Sequence, residues 1–302
     1  MPDVQVIDIH IHTYTTRAIG MQAQGGNVGP SGHAGTIDEL LPVLKKAGIS
    51  HAAMVNFTPV ADMLDAARSR LPADYTPTQR QEAEEPIRLQ MVGRLLHRNV
   101  WTCDVAREHP GLIAFIGVDP VMDAEAMARE VHEKQGAGAM GIKIHPEVQR
   151  IAINDPRLWP AYRAAQETGM IVLSHTGAFR DSDGSHSHAS MAADVLRAFP
   201  DLKMILAHLG GRNCFGEALQ VAQAFPNVLF DCCGVLRQVA GGYSDDDLVG
   251  MFRQLGVHRV LYGSDWAFAD PVLDLERMAT LPLNDEEKRL ILRDNAATLL
   301  GL

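Results

Sequence analysis

The sequence predicts an α/β fold, a distorted (β/α)8 barrel of the TIM-barrel type, and three observations predict it. Eight short apolar runs alternate with segments of helical period, turn residues bound each run, and histidine or aspartate recurs where the runs end. Eight such units over about 250 residues are what a closed parallel barrel requires. The 302 residues accommodate them as one domain, residues 1–302.

The first strand is the run 4–12, from Val4 to His12. A helix over 36–47 follows, with Ile37, Leu40, Leu41 and Leu44 on one side, Thr36 as its cap and Gly48 as its stop. Strand two is 51–57 and strand three is 112–118, closed by Asp119-Pro120, with a helix at 124–135 after it. Strand four, 139–145, is cut by Pro146; strand five is 170–175; strand six, 203–208, runs into Gly210-Gly211. Strands seven and eight are 228–232 and 259–265. Helices fit the gaps at 158–167, 191–199, 217–224 and 246–255, with a terminal pair from Pro271. Residues 58–107 are too long for one connection, and Pro59, Pro72, Pro77 and Pro86 mark a helical insertion on the rim, a lid or an oligomer contact.

Acidic residues outnumber basic ones, 37 to 27, for a formal net charge of −10, and no stretch concentrates Lys and Arg. Nucleic acid and anionic membrane surfaces are therefore not expected partners. No apolar run approaches the roughly 20 residues needed to cross a bilayer, and the start of the chain lacks the pattern of a secretion signal. With 46% hydrophobic residues, a globular cytoplasmic protein is expected. Cys103, Cys214, Cys232 and Cys233 form no Cys-x-x-Cys pair and read as reduced thiols.

The chemistry begins with Asp8, His10 and His12, which alternate on the first strand. Side chains two apart on a strand share a face about 6.6 Å apart, from which two imidazoles can lean onto one ion at roughly 2.0–2.1 Å. Lys143 and His145 end strand four, His175 ends strand five, His208 strand six and Asp265 strand eight. A parallel barrel brings all these carboxyl ends to one mouth, where active sites lie. Plainer readings exist for each: a core histidine with its hydrogen bonds satisfied, Asp265 as a helix cap, Lys143 as the ion-pair partner of Asp8 or another interior acid. Asp8 is expected to orient one of the histidines rather than to bind the ion itself. Arg17 and Lys143 are expected to bind a substrate carboxylate, with His145 beside them. His186 and His188 lie in a polar loop and read as surface residues.

The runs Ile7-Asp8-Ile9-His10-Ile11-His12, Gly141-Ile142-Lys143-Ile144-His145-Pro146, Ser174-His175-Thr176-Gly177, Ala207-His208-Leu209-Gly210-Gly211 and Gly263-Ser264-Asp265-Trp266, with the closing Asn295 to Leu302, resemble the amidohydrolase superfamily. More narrowly, they resemble its branch containing aminocarboxymuconate semialdehyde decarboxylase and related metal-dependent hydrolases. The motifs stand in that family's order and span nearly the whole chain. The resemblance implies one divalent ion, zinc or alternatively manganese, held by His10, His12, His175 and Asp265. Asp265 would also exchange a proton, and His208 would hydrogen-bond the metal-bound water or the substrate. Other branches suggest an alternative, a binuclear site bridged by a carboxylated Lys143.

The expected activity is hydrolysis of a small carboxylated or cyclic metabolite, such as a lactone, ester or amide, through a metal-activated water. The alternative is metal-dependent, non-oxidative decarboxylation of a small aromatic or unsaturated carboxylic acid. A barrel that only binds a ligand would have no need of so many ionisable groups at once. The partner expected is a small-molecule substrate, and the insertion after strand two offers a homodimer contact.

Overall fold

The computed structural model describes residues 5–211, 213–237 and 242–302; Val4, where the first apolar run begins, lies outside them. Eight strands, β1 (Val6–Ile11), β2 (Ile49–Val55), β3 (Leu112–Gly117), β4 (Gly141–Ile144), β5 (Ile171–Ser174), β6 (Lys203–Leu206), β7 (Val228–Asp231) and β8 (Val260–Leu261), form one sheet in sequence order. Each lies parallel to the next. Closure falls to the chain beyond β8. Ile9 N–H donates to Tyr262 O at 2.9 Å, Asp265 N–H to His10 O at 2.9 Å, and Ile11 bridges Trp266. The result is a nearly closed α/β barrel with helices between the strands, as the alternation of runs predicts.

Residue parity explains the layers. Ile113 and Phe115 of β3 join Leu173, Ile205 and Leu261 in one buried cluster, while Leu112, Ala114 and Ile116 join the cluster that packs the helices. The helix Ile37–Ala47 forms where its caps predict, with a capping box from Thr36 and Glu39 and with Gly48 left-handed at φ 68°. The insertion is two helices, Val60–Arg68 and Pro77–Glu108. The second begins at a capping box of Thr76 and Gln79, with Pro77 in its first turn. It is fastened to the barrel by Asn99, whose side chain donates to Gly117 O and Glu130 Oε1 at 2.9 Å and accepts from Gly117 N–H at 2.8 Å.

The strands end earlier than their apolar runs do. His145, His175, His208 and Asp265 all lie beyond the last paired residue of their strands. At His208 and Asp265 the backbone turns left-handed, φ 58° and 64°. β8 keeps only two residues of the seven-residue run 259–265. At the opposite mouth a cavity of about 270 Å³, lined by Met140, Met170, Lys203 and Leu300 among others, contains none of these groups. Among the described residues no helix is long and apolar enough to cross a membrane.

Candidate metal centre at the mouth of the barrel

Five of the segments singled out in the sequence do converge. His10, His12 and Asp265 each present a donor atom within 4.8 Å of the other two, with His12 Nε2 at 3.3 Å from Asp265 Oδ1. The His10 ring lies 5.1 Å from that of His12 and 5.6 Å from that of His208. His208 Nε2 faces His175 Nδ1 at 3.0 Å, and His175 stacks on His145 with ring centres 4.2 Å apart.

Hydrogen bonds fix what each ring can offer. His10 Nδ1–H donates to Asp231 Oδ2 at 2.9 Å, leaving Nε2 as a lone pair with Lys143 Nζ 3.2 Å away. His208 Nδ1–H donates to Cys233 O at 2.9 Å, and His175 Nε2–H donates to Gly177 O at 3.1 Å. Two bare lone pairs, on His208 Nε2 and His175 Nδ1, then face each other, an arrangement that a nearby cation relieves. His145 Nδ1 is buried without a hydrogen-bond partner.

Protonation agrees with this geometry. Burial holds His10, His145 and His175 well below the ordinary histidine range, and His12 below it, with Lys143 and neighbouring imidazoles adding to the effect. The His12–Asp265 contact is thus a neutral imidazole against a carboxylate. Burial pushes the Asp265 carboxyl up, but the hydrogen bond from His12 and the charge of Arg237 outweigh it and hold the group well below the usual carboxylate range. Arg237 donates to Asp265 Oδ2 at 2.6 Å. Burial brings the Lys143 ammonium down to about 8, opposed by Asp231, Cys233 and Asp265. Neutral imidazoles beside an ionised carboxylate are the donor set that a divalent cation needs, so the residues present fit such an ion.

Three expectations are corrected. Asp8 orients no imidazole: β1 shifts register against β2 between Asp8 and Ile11, and its Oδ1 instead accepts the backbone N–H groups of His10 and Ser264 at 3.1 and 3.0 Å. Burial raises the Asp8 carboxyl to about 7. No described contact pairs Lys143 with Asp8; its Nζ lies 3.2 Å from His10 Nε2 instead, with Asp231 and Asp265 as the interior acids acting on its charge. Arg17 stands on the helix Arg17–Ala23, exposed and tied to Glu39, so no described contact brings it to the donor group.

Sequence reasoning passed over Asp231, Arg237 and the phenylalanines. Asp231 ends β7 and accepts from His10, His208 N and Cys233 N, the last two at 2.9 and 3.1 Å. Its place at the end of a strand was the available signal. Phe57 and Phe268 meet the His12 ring edge-on at 5.9 and 5.4 Å, and Phe179 meets His145 at 4.6 Å. These rings come from three different loops and have no motif to announce them.

Known proteins share this framework. Gamma-resorcylate decarboxylase of Rhodococcus jostii (strain RHA1) is 25% identical over 146 residues, 43% of this chain and 44% of that protein, so the chain aligns with less than half of that relative's length. The structure of 5-carboxyvanillate decarboxylase from Sphingomonas paucimobilis superposes with a TM-score of 0.68 at 15% identity, over 99% of each chain. A dihydroxybenzoic acid decarboxylase of Polaromonas sp. JS666, solved with bound manganese and the inhibitor 2-nitroresorcinol, gives 0.70 at 14% identity over 98% of this chain and 97% of that one. These likenesses show the fold. The family model for Amidohydrolase matches residues 7–302, nearly the whole length, and the chain therefore belongs to the amidohydrolase family of enzymes.

Proposed function

We propose that this protein is a metal-dependent, non-oxidative decarboxylase of a small aromatic carboxylic acid. The observation that carries the reading is the wall of aromatic rings against the donor group: Phe57 and Phe268 on His12, Phe179 on His145 and His175. A flat aromatic acid fits between such rings, with its carboxylate toward the donors. The three relatives named above are all decarboxylases, which supports this reading over hydrolysis by a metal-activated water.

His10, His12 and Asp265 would hold one divalent ion, manganese or zinc, with His175 completing the set. When bound, the ion supplies a Lewis acid for the substrate carboxylate and a neighbouring oxygen. Asp231 keeps His10 in the tautomer that leaves Nε2 free, and Arg237 keeps Asp265 ionised and in place. Lys143 and the unpartnered His145 Nδ1 face the carboxylate. As the bond to carbon dioxide breaks, its electron pair stays on the ring carbon, and His208, having taken a proton from solvent on Nε2, delivers it there. We take one ion rather than a bridged pair, because Asp231, a donor that could serve a second, is already committed to three N–H groups.

The test is a panel of hydroxybenzoates, lactones and esters offered to the manganese- or zinc-loaded protein in heavy water. Carbon dioxide should be released, with one deuteron on the former carboxyl-bearing carbon. Turnover of lactones or esters alone, or full activity after exhaustive chelation, would overturn the proposal.

A further inference from the structure

We propose that His188, Cys214 and Glu217 form a second divalent-cation site, separate from the mouth cluster and of the thiophilic kind that takes zinc. His188 lies in the loop after β5, Cys214 immediately precedes the helix Phe215–Ala224, and Glu217 is in that helix's first turn. Their donor atoms all lie within 4.8 Å of one another. His188 Nδ1 is 2.9 Å from Glu217 Oε1 and 3.7 Å from Cys214 Sγ.

The shared nitrogen decides what the group can do. A nucleophilic cysteine with a histidine base and an orienting acid needs thiol and acid on opposite ring nitrogens. Here both face Nδ1, so no relay can form. Convergence on one side is how donors surround an ion. Tetrahedral zinc, with bonds of about 2.3 Å to sulfur and about 2.0–2.1 Å to nitrogen, would set S and N roughly 3.6 Å apart, close to the separation present. Ser190 N–H binds Glu217 Oε2 at 3.1 Å, which fixes the carboxylate with Oε1 turned inward.

Cys214 is buried, while the His188 and Glu217 side chains are 41% and 32% exposed, so a fourth position opens to water. Ligation would release the thiol proton to solvent and leave the Cys214 and Glu217 charges to balance the dication. An ion here would pin the loop after β5, which carries Phe179 over His145 and His175, to the helix after β6. It would thereby hold one aromatic wall of the mouth.

Cobalt(II) titration of the full chain tests this, because thiolate ligation gives a charge-transfer band that His10, His12 and Asp265 cannot supply. The wild type should show one equivalent of that band. Cys214→Ser should abolish it, Glu217→Gln should weaken cobalt binding at this site at least tenfold, and Cys233→Ser should leave it unchanged. Circular dichroism checks the fold of each variant, and Glu217→Gln decides the matter if Cys214→Ser does not fold. A wild type without the band, a band that survives Cys214→Ser, one lost with Cys233→Ser, or unaltered affinity in Glu217→Gln overturns the site.

Discussion

His10 gives one ring nitrogen to Asp231 and has Lys143 Nζ 3.2 Å from the other, whereas among the described residues the ion-pair contact of His12 is with Asp265. That difference separates the roles to be tested. His12→Ala should lose the bound ion and activity while the circular dichroism spectrum stays native; retention of a full equivalent of metal would remove it from the donor set. His208→Asn should keep the ion and slow turnover by roughly 10²–10⁴ if it carries the proton; an unchanged kcat would take it out of the mechanism. The strand-end histidines and Asp265 were legible in the sequence because a parallel barrel gathers such residues at one face. Asp231 obeyed the same rule and was overlooked, having no histidine beside it to draw attention.

At the scale of elements, the insertion is part of the site's foundation. Arg98 of the helix Pro77–Glu108 donates to the carbonyl of Thr13, one residue past His12, and its guanidinium lies 5.3 Å from the ring centre of Tyr14 and 4.9 Å from that of Trp101. Asn99, one residue on, satisfies both backbone groups of Gly117. Asn99→Ala would leave those groups and Glu130 Oε1 without this partner, at roughly 1–3 kcal/mol for each buried polar group, while Glu130 Oε2 keeps Lys134 at 3.5 Å. The variant should melt several degrees lower yet still bind the ion, as thermal unfolding with and without metal would show; an unchanged melting temperature would mean water replaces the amide. The sequence located this insertion from its length and prolines. It could not reveal the fastening, which depends on where residue 99 falls relative to the strand end at residue 117.

For the whole molecule, pH acts through carboxyls that the fold buries. Burial raises the Asp119 carboxyl from 3.8 to about 6, against hydrogen bonds from Val121 N–H and Gln149. The folded chain therefore binds this proton more tightly than the unfolded one. The stability it contributes is complete below pH 3.8 and is lost as pH rises through about 6. Asp119→Asn stays neutral throughout, so its melting temperature should rise relative to wild type between about pH 4 and about pH 7. A difference that does not change with pH would refute the assignment. By itself the sequence determined the barrel, its order of strands and the residues delivered to the mouth, because strand periodicity and chain direction are local properties that add up to this topology. Only the tertiary structure decided which nitrogen each imidazole offers, that Asp231 rather than Asp8 orients His10, and that three phenylalanines wall the donors. Those facts depend on register shifts, left-handed turns and contacts between residues far apart in the chain, which no local pattern encodes.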